Sequence, residues 1–178
     1  MANTTFNGPV RSENGFEVVS KDTTTGAVTT VLAIDGAGVQ VAPVSLSDGD
    51  VTLADTTNAG RVNLIPNGTQ DNTYTLPAPV AGLYFRFVYA GGAADGTDAI
   101  INTGSDTNFF IGGVTFLDSD ANDAGDEISV VYSDGNSNSK FQINLPGACD
   151  INVLAINSTN WQIWGTVTST AAPAFADQ

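Results

Sequence analysis

The sequence predicts an all-β protein: a β-sandwich or jelly-roll-like body of about nine strands, preceded by an extended N-terminal arm with a hairpin. No window longer than a few residues has the i, i+3, i+4 apolar spacing of an amphipathic helix. Thr, Val, Asn, Ile and Gly are abundant, whereas the helix-favouring Glu, Lys and Arg are rare. Turn-forming Asn-Gly and Asp-Gly pairs recur along the chain, for example at 14–15, 95–96 and 134–135.

Residues 1–55 are expected to form the arm. Within them, "FEVVSK" (16–21) and "AVTTVLAID" (27–35) flank the turn sequence "DTTTG" and predict a hairpin. The Gly-, Asp- and Ala-rich run that follows contains no long strand pattern. Because an isolated hairpin is marginally stable in water, we expect the arm to pack on its own body or on another chain.

Residues 56–178 are expected to form the body, with a short C-terminal tail. Burying one face of each strand would give two packed sheets. In the candidate strand "LYFRFVYA", one face carries Leu83, Phe85, Phe87 and Tyr89. Another candidate strand, "DINVLAIN", is apolar on parts of both faces, which predicts a central strand. The nine candidate strands are "RVNLIP", "TYTL", "LYFRFVYA", "AIINTG", "VTFLD", "EISVVYS", "KFQINLP", "DINVLAIN" and "WQIWGTVTS".

The charge balance argues against several classes of function. There are 19 acids and 5 bases, a net charge of -14, so the cationic footprint of a nucleic-acid-binding or membrane-surface protein is missing. The sequence has no His, the commonest general base and metal ligand. We therefore expect no enzymatic activity, no cofactor and no catalytic or metal-binding residue. The N-terminal stretch does not resemble a signal peptide, and the protein is expected to be made in a cytosol.

The acidic stretch "LDSDANDAGDE" (117–127) is the strongest candidate for a cation site. Counted from Asp118, oxygen ligands occupy positions 1, 3 and 5 of a calcium-loop template. The template requires Gly at position 6 and Glu at position 12, but the sequence has Asp123 and Ser129 there. We expect a hydrated loop between two strands, and a looser calcium site, as in an adhesion module, stays open as an alternative.

Three other features have structural interpretations. Trp161 and Trp164 are three positions apart, so one should cap the core and the other should face solvent or a partner. The exposed one could be a sugar-binding platform. Cys149 enters an apolar run and is expected to be a small buried residue. The Gly pair in "FFIGGVTF" predicts a bulge or bend within a strand.

Three stretches, "MANTTFNGPVRSENGF", "TYTLPAPVAGLYFRFVYA" and "NWQIWGTVTST", resemble the small capsid decoration (cement) proteins of marine tailed phages, particularly cyanophages. The resemblance implies a structural virion protein that binds the outer capsid surface as a homotrimer and stabilises the shell. Its partners would be further copies of itself and the major capsid protein, with no nucleic acid and no membrane. Related patterns occur in phage fibre proteins, so a fibre or a receptor- or glycan-binding β-domain is the alternative.

The resemblance also implies that the arm reaches neighbouring subunits. The predicted capsid contacts combine apolar anchors with one of the few cations: Phe6, Pro9, Val10, Arg11 and Phe16. The alternative is that these residues fold onto their own body.

Overall fold

The structure is a computed structural model that describes residues 15–35, 38–92, 94–120 and 128–178. The all-β prediction is confirmed, because these residues form strands connected by turns, with one four-residue helix, α1. None of the helices in the described part of the chain has the length and apolar character needed to cross a membrane. The elements in chain order are β1 Phe16–Lys21, β2 Val28–Asp35, β3 Gly38–Val41, β4 Val44–Ser45, β5 Val51–Thr52, α1 Asp55–Asn58, β6 Val62–Ile65, β7 Asn72–Thr75, β8 Tyr84–Tyr89, β9 Ala99–Asn102, β10 Phe109–Asp118, β11 Ile128–Tyr132, β12 Lys140–Ile143, β13 Pro146–Ala155, β14 Asn160–Ser169 and β15 Ala174–Ala176.

The chain divides into two compact units at Ala42 and Pro43. In the first unit, β1 and β2 form the predicted antiparallel hairpin, and β3 adds a third antiparallel strand. The sequence predicted that the arm ends at residue 55, whereas the first compact unit ends at Ala42. The two-residue strands β4 and β5 pair with β6 and β7 of the second unit, which places them with the body.

The second unit contains a seven-stranded sheet, in the order β11-β10-β14-β13-β8-β6-β4, and a five-stranded sheet, in the order β15-β12-β9-β7-β5. One buried apolar cluster contains side chains of both sheets, which is the arrangement of a sandwich. All nine predicted strands are present, from β6 to β14. The expected inward face of β8 is buried at Phe85, Phe87 and Tyr89, and β13 is central.

The path of the chain between the sheets was not predicted. From β4 to β9, successive strands alternate between the two sheets, so the neighbours β4, β6 and β8 are parallel, as are β5, β7 and β9. Strands β10 and β14 are also parallel. Greek-key connections join antiparallel strands, so the jelly-roll detail of the prediction is not confirmed by this pairing.

Aspartates in the loops accept hydrogen bonds from backbone N–H groups further along the chain. The Asp48 carboxylate accepts hydrogen bonds from the backbone N–H of Thr69 at 3.1 and 3.2 Å. Asp71 accepts from the N–H of Asp98 at 2.8 Å, and Asp98 in turn accepts from the N–H of Leu145 at 3.1 Å. Backbone donors satisfied by a carboxylate make strong, charge-assisted hydrogen bonds. Part of the acidity of the chain therefore serves to hold its own loops.

Candidate functional surfaces

Only one of the predicted contact residues can be placed. Phe16 opens β1 and is 49% exposed. Phe6, Pro9, Val10 and Arg11 lie outside the described residues.

The structure places Phe16 on an apolar face of the three-stranded sheet. Phe16 pairs with Ile34, Val18 pairs with Leu32, and Leu32 pairs with Val41 on its other side. Directly paired residues, and residues two apart along a strand, share a face of a sheet. We call this surface the arm face, which comprises Phe16, Val18, Leu32, Ile34 and Val41.

The arm face is largely uncovered. Phe16, Val18, Ile34 and Val41 are between 41% and 56% exposed. The opposite face carries Glu17, whose carboxylate accepts a hydrogen bond from the Thr30 hydroxyl at 3.3 Å. The same face also carries Val19, which is 49% exposed, so both faces of the sheet expose apolar side chains. Exposed apolar sheet surface is typical of a sheet that packs against a further layer.

Of the arm face, the sequence pointed only to Phe16, whose role as a capsid contact stays a prediction, and it did not identify the other four residues. The available signal was the alternation in "VLAID", which places Leu32 and Ile34 on one side of β2. Val41 was missed because β3 lies in the Gly-rich run that contained no long strand pattern.

A second apolar surface lies at the edge of the seven-stranded sheet. Strand β11 is the last strand on that side. Its residues Ile128, Val130 and Tyr132 are between 65% and 75% exposed and share the outer face. A long apolar edge strand invites pairing with another chain, so this strip is a candidate contact surface.

The two tryptophans point to opposite faces of β14, as predicted. Trp161 is fully buried and meets the Phe85 ring edge to face at 5.9 Å. Trp164 is 41% exposed on the outer face of the seven-stranded sheet. Its ring lies 6.3 Å from that of Tyr84, with 30° between the ring planes. The outer face therefore presents a pair of neighbouring aromatic rings.

Polar side chains surround this pair. Asn152 is in register with Trp164 on one side and with Arg86 on the other, and it accepts a hydrogen bond from the Tyr84 hydroxyl. Arg86 donates from Nε and Nη2 to the two carboxylate oxygens of Asp150, at 2.8 and 2.6 Å. These hydrogen bonds lower the pKa of Asp150 and raise that of Arg86. We call Tyr84, Arg86, Asp150, Asn152 and Trp164 the Trp164 platform.

Two buried titratable side chains, Tyr74 and Cys149, lie in the core. Cys149 is buried, as predicted, and burial raises its pKa to about 12. Burial likewise raises the pKa of Tyr74 to about 12. Both groups are therefore neutral at pH 7, in the protonated state that is the weaker nucleophile and base.

The acidic stretch is only partly placed. Asp118 ends β10, and its carboxylate accepts a hydrogen bond from the backbone N–H of Asp120 at 2.9 Å. Asn122, Asp123, Asp126 and Glu127 lie outside the described residues, so the loop and calcium interpretations both stay predictions. Within the described ranges, no group of three or more acidic or Cys side chains is placed to hold a metal ion.

The two apolar surfaces and the Trp164 platform differ in chemistry. The arm face and the β11 strip present aliphatic and aromatic side chains, as a protein contact requires. The platform combines aromatic rings with an ion pair and an amide.

Neither a scan against protein-family models nor a search of curated proteins finds a match to this chain.

Proposed function

We propose that this chain is a non-enzymatic structural protein of a phage virion. It binds the outer surface of the capsid as a homotrimer, contacts the major capsid protein and stabilises the shell. The observation that carries the proposal is the arm face, an apolar sheet surface in a separate compact unit. The sequence resemblance to decoration proteins supplies the identity of the partner.

The arm face is large enough to contribute to binding. Fully burying a Val, Ile or Phe side chain stabilises by about 1.5–3 kcal/mol. Roughly half of each of Phe16, Val18, Ile34 and Val41 is still exposed. Covering all four would therefore contribute about 3–6 kcal/mol before the cost of association. A micromolar complex needs about 8 kcal/mol, so several arms acting together would give firm attachment.

The charge of the chain supports an outer location. A net charge of -14 repels the anionic genome and keeps the free protein soluble. Binding the assembled shell but not the open one stabilises the shell by mass action.

The test uses capsid shells assembled without this chain. Wild-type protein and a Val18→Lys/Ile34→Lys variant are added, and the bound fraction is measured by co-sedimentation. The control, Val80→Lys/Ile156→Lys, adds the same charge at exposed apolar positions of the second unit. We expect at least tenfold weaker binding for the arm-face variant and near-normal binding for the control. Equal binding by both variants would refute the role of the arm face.

A further inference from the structure

The Trp164 platform continues into a row of residues that crosses five strands. Along one register line of the outer face, the order is Tyr132, Gly113, Trp164, Asn152 and Arg86. Gly113, on the strand between the two aromatic residues, has no side chain. Adjacent strands are about 4.8 Å apart, so the backbones at Tyr132 and Trp164 lie roughly 10 Å from each other.

Strand β11 approaches Gly113 closely. A Cβ at position 113 would lie 2.5 Å from the Val131 carbonyl oxygen and 2.8 Å from the Tyr132 Cα. Both are backbone atoms of a paired strand, so a larger residue does not fit without moving β11. Position 113 therefore requires glycine, and no side chain of β10 stands between Tyr132 and Trp164 in this row.

We propose that this row is a binding site for a neutral sugar residue of a glycan. The exposed side chains of Trp164 and Tyr132 carry flat aromatic rings with a negative quadrupole at the ring face, suited to the C–H face of a pyranose ring. Next to them, Asn152 and the Arg86–Asp150 pair supply donors and acceptors for ring hydroxyls. A few fixed polar groups beside an apolar surface is the general composition of a small-ligand site.

The polar groups are held in place before a ligand arrives. Arg86 is fixed by its two hydrogen bonds to Asp150, and Asn152 is fixed by the Tyr84 hydroxyl. Among the described residues, Arg86 makes these bonds with Nε and Nη2, so the Nη1 hydrogens can still donate. Groups oriented in advance lose less entropy on binding, which makes them effective in recognition.

The surroundings favour a sugar over a protein at this position. Aromatic residues and Arg are enriched in protein interfaces, but Asp is depleted there, and the platform contains Asp150 paired with Arg86. The uncharged residues Ile128 and Val130 of β11 better match a protein contact. The charge of the platform cancels internally, and the whole chain carries -14, so anionic glycans are repelled and neutral hexoses are favoured.

The experiment has two parts. Biotinylated full-length protein is displayed on streptavidin and applied to an array of neutral and anionic glycans. The soluble protein is then titrated with the methyl glycosides of glucose, galactose and mannose, followed by saturation-transfer NMR and tryptophan fluorescence. We expect binding to neutral glycans, a millimolar dissociation constant for the best monosaccharide and a change in Trp164 emission.

Variants assign the binding to the platform. Trp164→Ala should weaken binding at least tenfold, and Asn152→Ala should weaken it severalfold. Val80→Ala, a change at an exposed apolar residue outside the row, should leave it unchanged. Circular dichroism confirms that each variant is folded. The proposal is overturned if the wild-type array is silent, if only anionic glycans bind, or if folded Trp164→Ala binds like the wild type.

Discussion

Replacing Gly165 by Ala tests the strand register that places Trp164 beside Asn152. Gly165 has a φ of +148°, which residues with side chains rarely adopt, and a Cβ there would lie 2.1 Å from the Asp150 carbonyl oxygen. Backbone strain of this kind costs about 1–3 kcal/mol. Moving the β13 carbonyl away would weaken ladder hydrogen bonds worth about 1 kcal/mol each. Reduced freedom of the unfolded chain offsets about 0.4–1 kcal/mol.

The expected net destabilisation is about 3 kcal/mol, which corresponds to a fall in Tm of roughly 6–12 °C. The assay is urea unfolding followed by tryptophan fluorescence, which reports on the second unit because both tryptophans lie in it. The control is Gly135→Ala, where φ is +79° but nothing lies within 4 Å of the added Cβ. It should cost about 1 kcal/mol. If the two variants differ by less than about 1 kcal/mol, the close approach of β13 and β14 at Gly165 is wrong.

Three further predictions follow from the same sheet. Trp161→Ala should lower the free energy of unfolding by about 3–5 kcal/mol and Trp164→Ala by under about 1 kcal/mol, since only Trp161 is buried; equal urea midpoints would contradict this. Cys149 should resist iodoacetamide at pH 8 until urea unfolds the protein, because burial raises its pKa to about 12; rapid labelling of the native protein would refute it. A double-mutant cycle on Arg86 and Asp150 should give about 0.2–1 kcal/mol at pH 7, since both are partly exposed. Because the pKa of Asp150 is lowered in the fold, this contribution should be complete above the unfolded pKa and lost as pH falls through the folded one; a coupling energy that does not fall on acidification would contradict the pairing.

Local sequence patterns predicted the strands well because alternation and turn residues act over a few neighbours. The inward residues Phe85 and Phe87 in "LYFRFVYA" are fully buried, and the nine stretches from residue 60 to 169 each contain a strand. The opposite orientations of Trp161 and Trp164 follow from the same period of two.

The order and direction of the strands could not be predicted in this way. Alternation shows that one face of a strand is buried, but it does not show which strand lies beside it. The two-residue strands β4 and β5 join the body through parallel pairing with residues further along the chain. A two-residue strand shows no alternation of apolar and polar residues. The sequence pattern therefore assigned β4 and β5 to the arm and placed its end at residue 55.

The candidate surfaces were predictable only in part. The sequence predicted Phe16 as a contact residue and one of the two tryptophans as exposed. It also offered a sugar-binding platform as an alternative role for that tryptophan. The partners of Trp164 were missed because Tyr84 and Arg86 come from a strand about 80 residues earlier in the chain. The strand order, which the sequence does not reveal, is what places Tyr84 and Arg86 close to Trp164.

Cryo-electron microscopy of the native virion tests the central proposal most directly. We expect threefold-symmetric density of this sandwich on the outer capsid surface, with the arm face at Phe16, Val18 and Ile34 covered by a neighbouring chain. Shells without this density, or density found only at tail fibres, would contradict it.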